Sequence, residues 1–147
     1  MKDLLVRDWM TKKVITVDAH TTLPDAHRLM HNNKIRRLPV LDKGKLAGIV
    51  TRSDIREASP SDATTLSVWE LHYLLSKLEV RGIMTPDPIT IRSNATIKEA
   101  AAQMYTHKIG GLPVVDGDGK LVGIITESDI FRILIAWFEE QEGQADG

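Results

Sequence analysis

Residues Val6 to Asp42 align without a gap onto Val80 to Asp116, and this internal repeat limits the possible folds more than any other property of the chain. VRDWMTKKVITVDAHTTLPDAHRLMHNNKIRRLPVLD and VRGIMTPDPITIRSNATIKEAAAQMYTHKIGGLPVVD share the letters M-T, I-T and L-P-V-x-D. After one extra residue in the second turn, KLAGIVTRSDI from Lys45 continues against KLVGIITESDI from Lys120, and about half of all aligned positions are identical. A generic supersecondary unit used twice would preserve hydrophobic pattern but not these polar letters. The recurring polar letters are therefore where function is to be sought.

Each repeat opens with a β-rich run, Val14 to Val17 or Ile89 to Ile91, expected as a strand. A helix should follow, started by Thr22 with Asp25 or by the capping box Thr96 with Glu99. Leu23, Ala26 and Met30, like Ile97, Ala100 and Met104, mark one helical face. Pro39 and Pro113 begin the short apolar strands LPVL and LPVV, and the turns Lys43-Gly44-Lys45 and Gly117-Asp118-Gly119-Lys120 return the chain as a hairpin to LAGIVT and LVGIIT. A last helix is expected from Ser53 or Ser128. The order β-α-β-β-α, twice, is an α/β (α+β) fold. Each unit is too small to bury its sheet alone, so the two should pack sheet against sheet about a pseudo-twofold axis.

The expected organisation is a first unit over 1–58, a bridging segment over 59–79, a second unit over 80–138 and an acidic, disordered tail over 139–147. In the bridge, Ser59-Pro60-Ser61 reads as a loop. Ser67 with Glu70 then caps a helix carrying Trp69, Tyr73, Leu74 and Leu78. Lys and Arg number 19 against 20 Asp and Glu, and the charges are scattered, so a nucleic acid or an anionic membrane has no electrostatic claim on the chain. The absence of cysteine excludes disulfides, thiolate metal sites and a cysteine nucleophile. The start MKDLLVRDWM has no apolar leader region, and Ile133 to Phe138 is far too short to span a bilayer, so a cytoplasmic location is the expectation.

The pattern M-T, I-T-V or I-T-I, helix, L-P-V-x-D, G-I-[VI]-T-x-S-D-I resembles the CBS motif, and two in tandem resemble the Bateman module. The resemblance covers about residues 6 to 138. The bridging segment EASPSDATTLSVWELHYLLSKLEV is similar to that of acetoin-utilisation-type CBS proteins, some of which carry a further C-terminal ligand-binding domain; none is expected here.

Thr51, Ser53 and Asp54, and likewise Thr126, Ser128 and Asp129, stand where a strand hands over to a helix. Unpaired N–H groups and the helix dipole favour an anion there, and the hydroxyls add donors for phosphate. An acceptor-only carboxylate repels phosphate but suits the diol of a ribose. The same three residue types also cap helices with no ligand present. The resemblance implies the same division of labour and places the base against the first strand and the L-P segment: Ile15, Thr16, Val17, Leu38 and Pro39, and in the second repeat Ile89, Thr90, Ile91, Leu112 and Pro113. It further implies that basic residues before L-P reach toward phosphates. The first repeat has Arg36 and Arg37 there, the second Gly110 and Gly111, so the two sites are expected to differ in affinity, which allows one of them to be empty.

His27 and His31 are four apart on a helix but lack a third ligand, and Asp116-x-Asp118 with Glu127 imitates a calcium loop whose sharp-turn glycine position is held by Leu121. No phosphate loop, nucleophile elbow or Cys–His pair occurs. The expectation is a non-enzymatic sensor of an adenine nucleotide (AMP, ADP or ATP), with S-adenosylmethionine or NAD as alternatives and no cofactor or metal. Occupancy would change the angle between the units and signal to a regulated protein of unknown identity. The rival expectation is a ligand-free dimerisation module, suggested by Ile133, Ile135, Trp137 and Phe138 crowding the last helix. A homodimer is expected under both.

Overall fold

A computed structural model describes residues 4–59 and 66–146. The elements in chain order are α1 (Val6–Trp9), β1 (Val17–Asp18), α2 (Leu23–Asn33), β2 (Arg37–Asp42), β3 (Lys45–Thr51), α3 (Arg52–Ala58) and α4 (Val68–Lys77). A 3-10 turn at Val80–Gly82 leads to β4 (Thr85–Pro86), β5 (Ile91–Arg92), α5 (Ile97–His107), β6 (Gly111–Val115), β7 (Leu121–Thr126) and α6 (Glu127–Asp146). They form two compact units, Ile15–Pro88 on the one hand and Met1–Val14 with Ile89–Gly147 on the other.

In the unit Ile15–Pro88 the sheet order is β1-β2-β3-β4. Strand β1 runs parallel to β2, and the remaining neighbours are antiparallel. Leu23, Ala26 and Met30 of α2 meet Leu38, Val40 and Val50 of the sheet in one core, as the helical spacing requires. Lys43 and Gly44 both take positive φ between the paired residues Asp42 and Lys45, which makes the two-residue turn whose twist matches a hairpin. The other unit repeats the plan with sheet order β5-β6-β7, and Ile97, Ala100 and Met104 of α5 pack with Leu112, Val114 and Ile125. Thr96 and Glu99 form the expected capping box. Thr22 begins α2 without any side-chain cap bond, and its partner in the motif, Asp25, pairs instead with Arg28 at 3.1 Å.

The opening strands are shorter than expected. Val17 pairs with Val40 and Ile91 with Val114, so the preceding Thr16 and Thr90 fall opposite Pro39 and Pro113. Proline has no N–H to give, and the ladder stops there. The segment beyond Glu139, expected to be disordered, is helical through Asp146. Glu139, Glu140, Gln141 and Glu142 are good helix formers that prolong a helix already nucleated upstream. The bridging helix exists as α4, capped by Ser67, but none of its residues is buried and Trp69 is 85% exposed. Pro60 and Ser61 of the expected loop lie outside the described residues.

One feature crosses the order of the repeats. The lead-in of the first repeat belongs to the unit that holds the second. Val6 N–H donates to Ala95 O at 2.9 Å, and Thr11 and Ile124 exchange backbone bonds of 2.9 and 3.0 Å. The lead-in of the second repeat returns the exchange: Val80 N–H donates to Thr21 O at 2.8 Å, and Thr85 and Pro86 extend the first sheet as β4 beside Ile49 and Gly48. Val6 and Val80 are fully buried as a result. The recurring M-T letters have their explanation here. Met84 and Thr85 press on Gly48, where a Cβ would stand 2.5 Å from Met84 Sδ and 2.7 Å from Thr85 O. Met10 and Thr11 press on Gly123, at 2.5 Å to Met10 Sδ and 3.0 Å to Thr11 O. Only glycine admits so close an approach.

Candidate functional site

The recurring Thr-x-Ser-Asp stretches lie at the junctions β3–α3 and β7–α6, one in each unit, and both helices begin one residue earlier than expected, at Arg52 and Glu127. In the first junction Thr51 is the N-cap. Its N–H donates to Asp54 Oδ2 at 2.8 Å, and Asp54 N–H donates to Thr51 Oγ1 at 3.1 Å, a reciprocal capping box. Arg52 N–H donates to Arg36 O at 2.7 Å, which ties the second residue before L-P to the start of the helix. The second junction repeats that tie, with Glu127 N–H donating to Gly110 O at 3.0 Å. Ser53 and Ser128 are exposed at the second helical position of each.

The strand register brings the basic pair to the first junction. Arg37 is the cross-strand partner of Thr51, and Gly111 is the partner of Thr126. Arg36 is exposed and Arg37 half-buried. The second junction therefore has backbone where the first has two guanidinium side chains.

The carboxylates also differ. Asp54 is half-buried and accepts from Thr51 N–H alone among the described residues. Asp129 is only 7% exposed and carries three donors. Thr126 N–H and Oγ1–H both donate to Oδ2, at 2.9 and 3.4 Å, and Arg132 Nη2 donates to Oδ1 at 2.9 Å. Arg132 is held in turn by Trp9, to whose carbonyl it donates at 3.1 Å and over whose ring its guanidinium lies at 5.4 Å. Arg132 was not among the residues singled out in the sequence. The signal lay just past the S-D-I letters, where the alignment sets Arg132 against Glu57.

The residues of the expected base slot divide between core and surface. Val17 and Leu38, like Ile91 and Leu112, turn their side chains into the hydrophobic cores, because alternation along a strand gives them the inner face. Only their backbone is left for a ligand. Ile15 and Thr16 are half-buried, Ile89 and Thr90 are exposed, and Pro39 and Pro113 are buried on the opposite face of their strands from the leucines. Of the decoys, His27 and His31 stack at 6.5 Å with both side chains exposed, and among the described residues no group of three or more metal-ligating side chains occurs. Asp116 uses its carboxylate to cap its own turn, accepting from Asp118 and Lys120 N–H at 2.9 Å each. Among the described residues no helix is long and apolar enough to cross a membrane.

Comparison with known proteins places this geometry. The family model for the CBS domain matches twice, over residues 6–61 and 80–136. The chain is similar to a Vibrio cholerae protein assigned to acetoin utilization, with 38% identity, a TM-score of 0.77, and coverage of 95% of this chain and 96% of that one. It is similar to CBSX2 of Arabidopsis thaliana in complex with AMP, at 33% identity and a TM-score of 0.76, covering 90% and 97% of the two chains. The CBS domain pair of protein MJ0100 in complex with 5′-methylthioadenosine and S-adenosyl-L-methionine aligns at 31% identity and a TM-score of 0.73, over 88% and 98%. Enzymes also contain the module: an inosine-5′-monophosphate dehydrogenase of Korarchaeum cryptofilum is 37% identical over 84% of this chain, which spans 23% of the enzyme. Two matches of the family model over most of the sequence, on a fold shared with these structures, make this chain a member of the CBS domain family, with two CBS domains in tandem.

Proposed function

We propose that the chain is a regulatory module that binds an adenosine phosphate such as AMP and reports its occupancy to a partner protein. The observation that carries this reading is the β3–α3 junction, where a carboxylate with room for further donors stands beside Thr51, Ser53 and the Arg36–Arg37 pair. Asp54 would accept the ribose hydroxyls, and the hydroxyls of Thr51 and Ser53 with the two guanidinium groups would hold phosphate. Ile15, Thr16 and the backbone of Val17, Leu38 and Pro39 would receive the base. At the other junction the same roles fall to Thr126, Ser128 and Asp129, with Ile89, Thr90, Ile91, Leu112 and Pro113. The complexes of similar proteins with AMP and with S-adenosylmethionine support an adenosyl ligand, and S-adenosylmethionine is the alternative. The reading assigns these residues to holding a ligand and gives none of them a chemical step. Signalling follows if the ligand prefers one of two arrangements of the protein, since it shifts the balance only by its difference in affinity.

The same reading includes self-association. Of the four apolar residues expected to crowd α6, Ile133 belongs to the core and Trp137 is half-buried. Ile135 and Phe138 are exposed and are joined by Phe131 and Leu134. The spacing 131, 134, 135, 138 forms one stripe on the helix, the form of a surface that packs against a second copy.

A melting series tests both parts. A saturating adenosyl ligand, at about 100 times its dissociation constant, stabilises the protein by about 2.7 kcal/mol, and guanine nucleotides are expected to leave the transition unmoved. A midpoint that rises with protein concentration marks the dimer. No shift with AMP, ADP, ATP, NAD or S-adenosylmethionine overturns the ligand reading and leaves the association face as the function.

A further inference from the structure

We infer that the chain takes one nucleotide, not two, because Arg132 closes the site of the second repeat. The inference rests on the nucleotide reading above and adds which of the two junctions is competent and which residue decides it.

A carboxylate offers about four lone-pair positions to donors. Asp129 has three of them filled, by Thr126 N–H, Thr126 Oγ1–H and Arg132. One position is left for a ribose diol that brings two hydroxyls. Among the described residues Asp54 has one filled, by Thr51 N–H, which leaves three. For a diol to enter at Asp129 it must displace Arg132, which exchanges an ion pair, charged on both sides, for hydrogen bonds charged on the carboxylate side only. Displacement also frees the guanidinium from the Trp9 carbonyl and ring that hold it in place.

Two further differences act in the same direction. The hydroxyl of Thr51 accepts from Asp54 N–H, which leaves its own proton for a phosphate oxygen, whereas the hydroxyl proton of Thr126 points to Asp129. Arg36 and Arg37 stand beside the first junction and Gly110 and Gly111 beside the second. In the first repeat the position equivalent to Arg132 is Glu57, which cannot donate to Asp54. Every term thus favours the β3–α3 junction, and a preference of tenfold or more is expected.

Isothermal titration of the full chain with AMP, and separately with S-adenosylmethionine, reads the stoichiometry. One site per chain is expected in the wild type, loss of that site in Asp54→Ala, and affinity within about twofold of wild type in Asp129→Ala. Arg132→Ala should bind twice, and the double variant Asp54→Ala/Arg132→Ala once. Two sites of equal affinity in the wild type, or binding that survives Asp54→Ala and disappears in Asp129→Ala, overturns the inference. The Asp54 and Asp129 variants decide it alone if Arg132→Ala does not fold. No heat from any adenosyl ligand in the wild type overturns the nucleotide reading itself, a result distinct from two equal sites.

Discussion

The two strand-to-helix junctions share Thr, Ser and Asp at identical spacing and the same tie from the helix start back to the second residue before L-P. They part at the residues around those letters. At β3–α3 the carboxylate is half-buried and lightly engaged beside two arginines. At β7–α6 it is buried and held by Arg132 beside two glycines. A shared motif sets where an acid sits, and its neighbours set how much of that acid is left for a ligand. The docking of the M-T segments offers a contrast of its own, since there the two units are nearly alike.

The largest expected effect tests that likeness. Alanine at Gly48 would set its Cβ against Thr85 O at 2.7 Å, and at Gly123 against Thr11 O at 3.0 Å. A backbone oxygen yields less readily than a methionine side chain. Gly48→Ala should destabilise by about 2–3 kcal/mol and Gly123→Ala by about 1–2 kcal/mol, the range for overpacking. Thermal denaturation shows this at about 2–4 °C for each kcal/mol, and equal shifts would mean that the two docks are equivalent after all. Next in size is a transplant. Glu57→Arg gives the first repeat the residue that occupies Asp129 in the second, and nucleotide affinity should fall about tenfold, or 1.4 kcal/mol, by titration. An unchanged affinity would break the contrast between the junctions. The smallest effect separates phosphate from ribose. Arg36→Gln with Arg37→Gln should weaken AMP several-fold, by about 1 kcal/mol, leave adenosine unaffected, and flatten the dependence on salt.

Much of the fold is legible in the sequence because its signals are local. Thr96 and Glu99 satisfy the first N–H groups of α5 within four residues, Lys43-Gly44 supplies the positive φ its turn demands, and the apolar spacing of α2 and α5 names their buried faces. The exchange of lead-in segments is not legible, since the fit of Met10 to Gly123 depends on residues far apart in the chain. Repetition marked those letters as needed without saying for what. The site shows the same division. Asp54 and Asp129 are found from spacing, but the engagement of Asp129 depends on Arg132 and on Trp9, which holds that arginine from the other end of the chain. Strand alternation gives the side chains of the slot residues Leu38 and Leu112 to the core, so what they offer a base is backbone.

The exchanged lead-ins also impose an order of events during synthesis. Met10 and Thr11 leave the ribosome roughly a hundred residues before their partner strand, β7. Until then Val6 and Met10 have no core to enter, whereas the unit Ile15–Pro88, contiguous in sequence, has Val80 and its fourth strand as soon as Pro86 is made. The two cores therefore do not close together: only the one that takes Val6 waits for β7. The nascent chain carries the apolar lead-in of the first repeat exposed through most of its elongation, and closure of that one core becomes a late step set by long-range loop closure rather than by the fast local hairpins and helices.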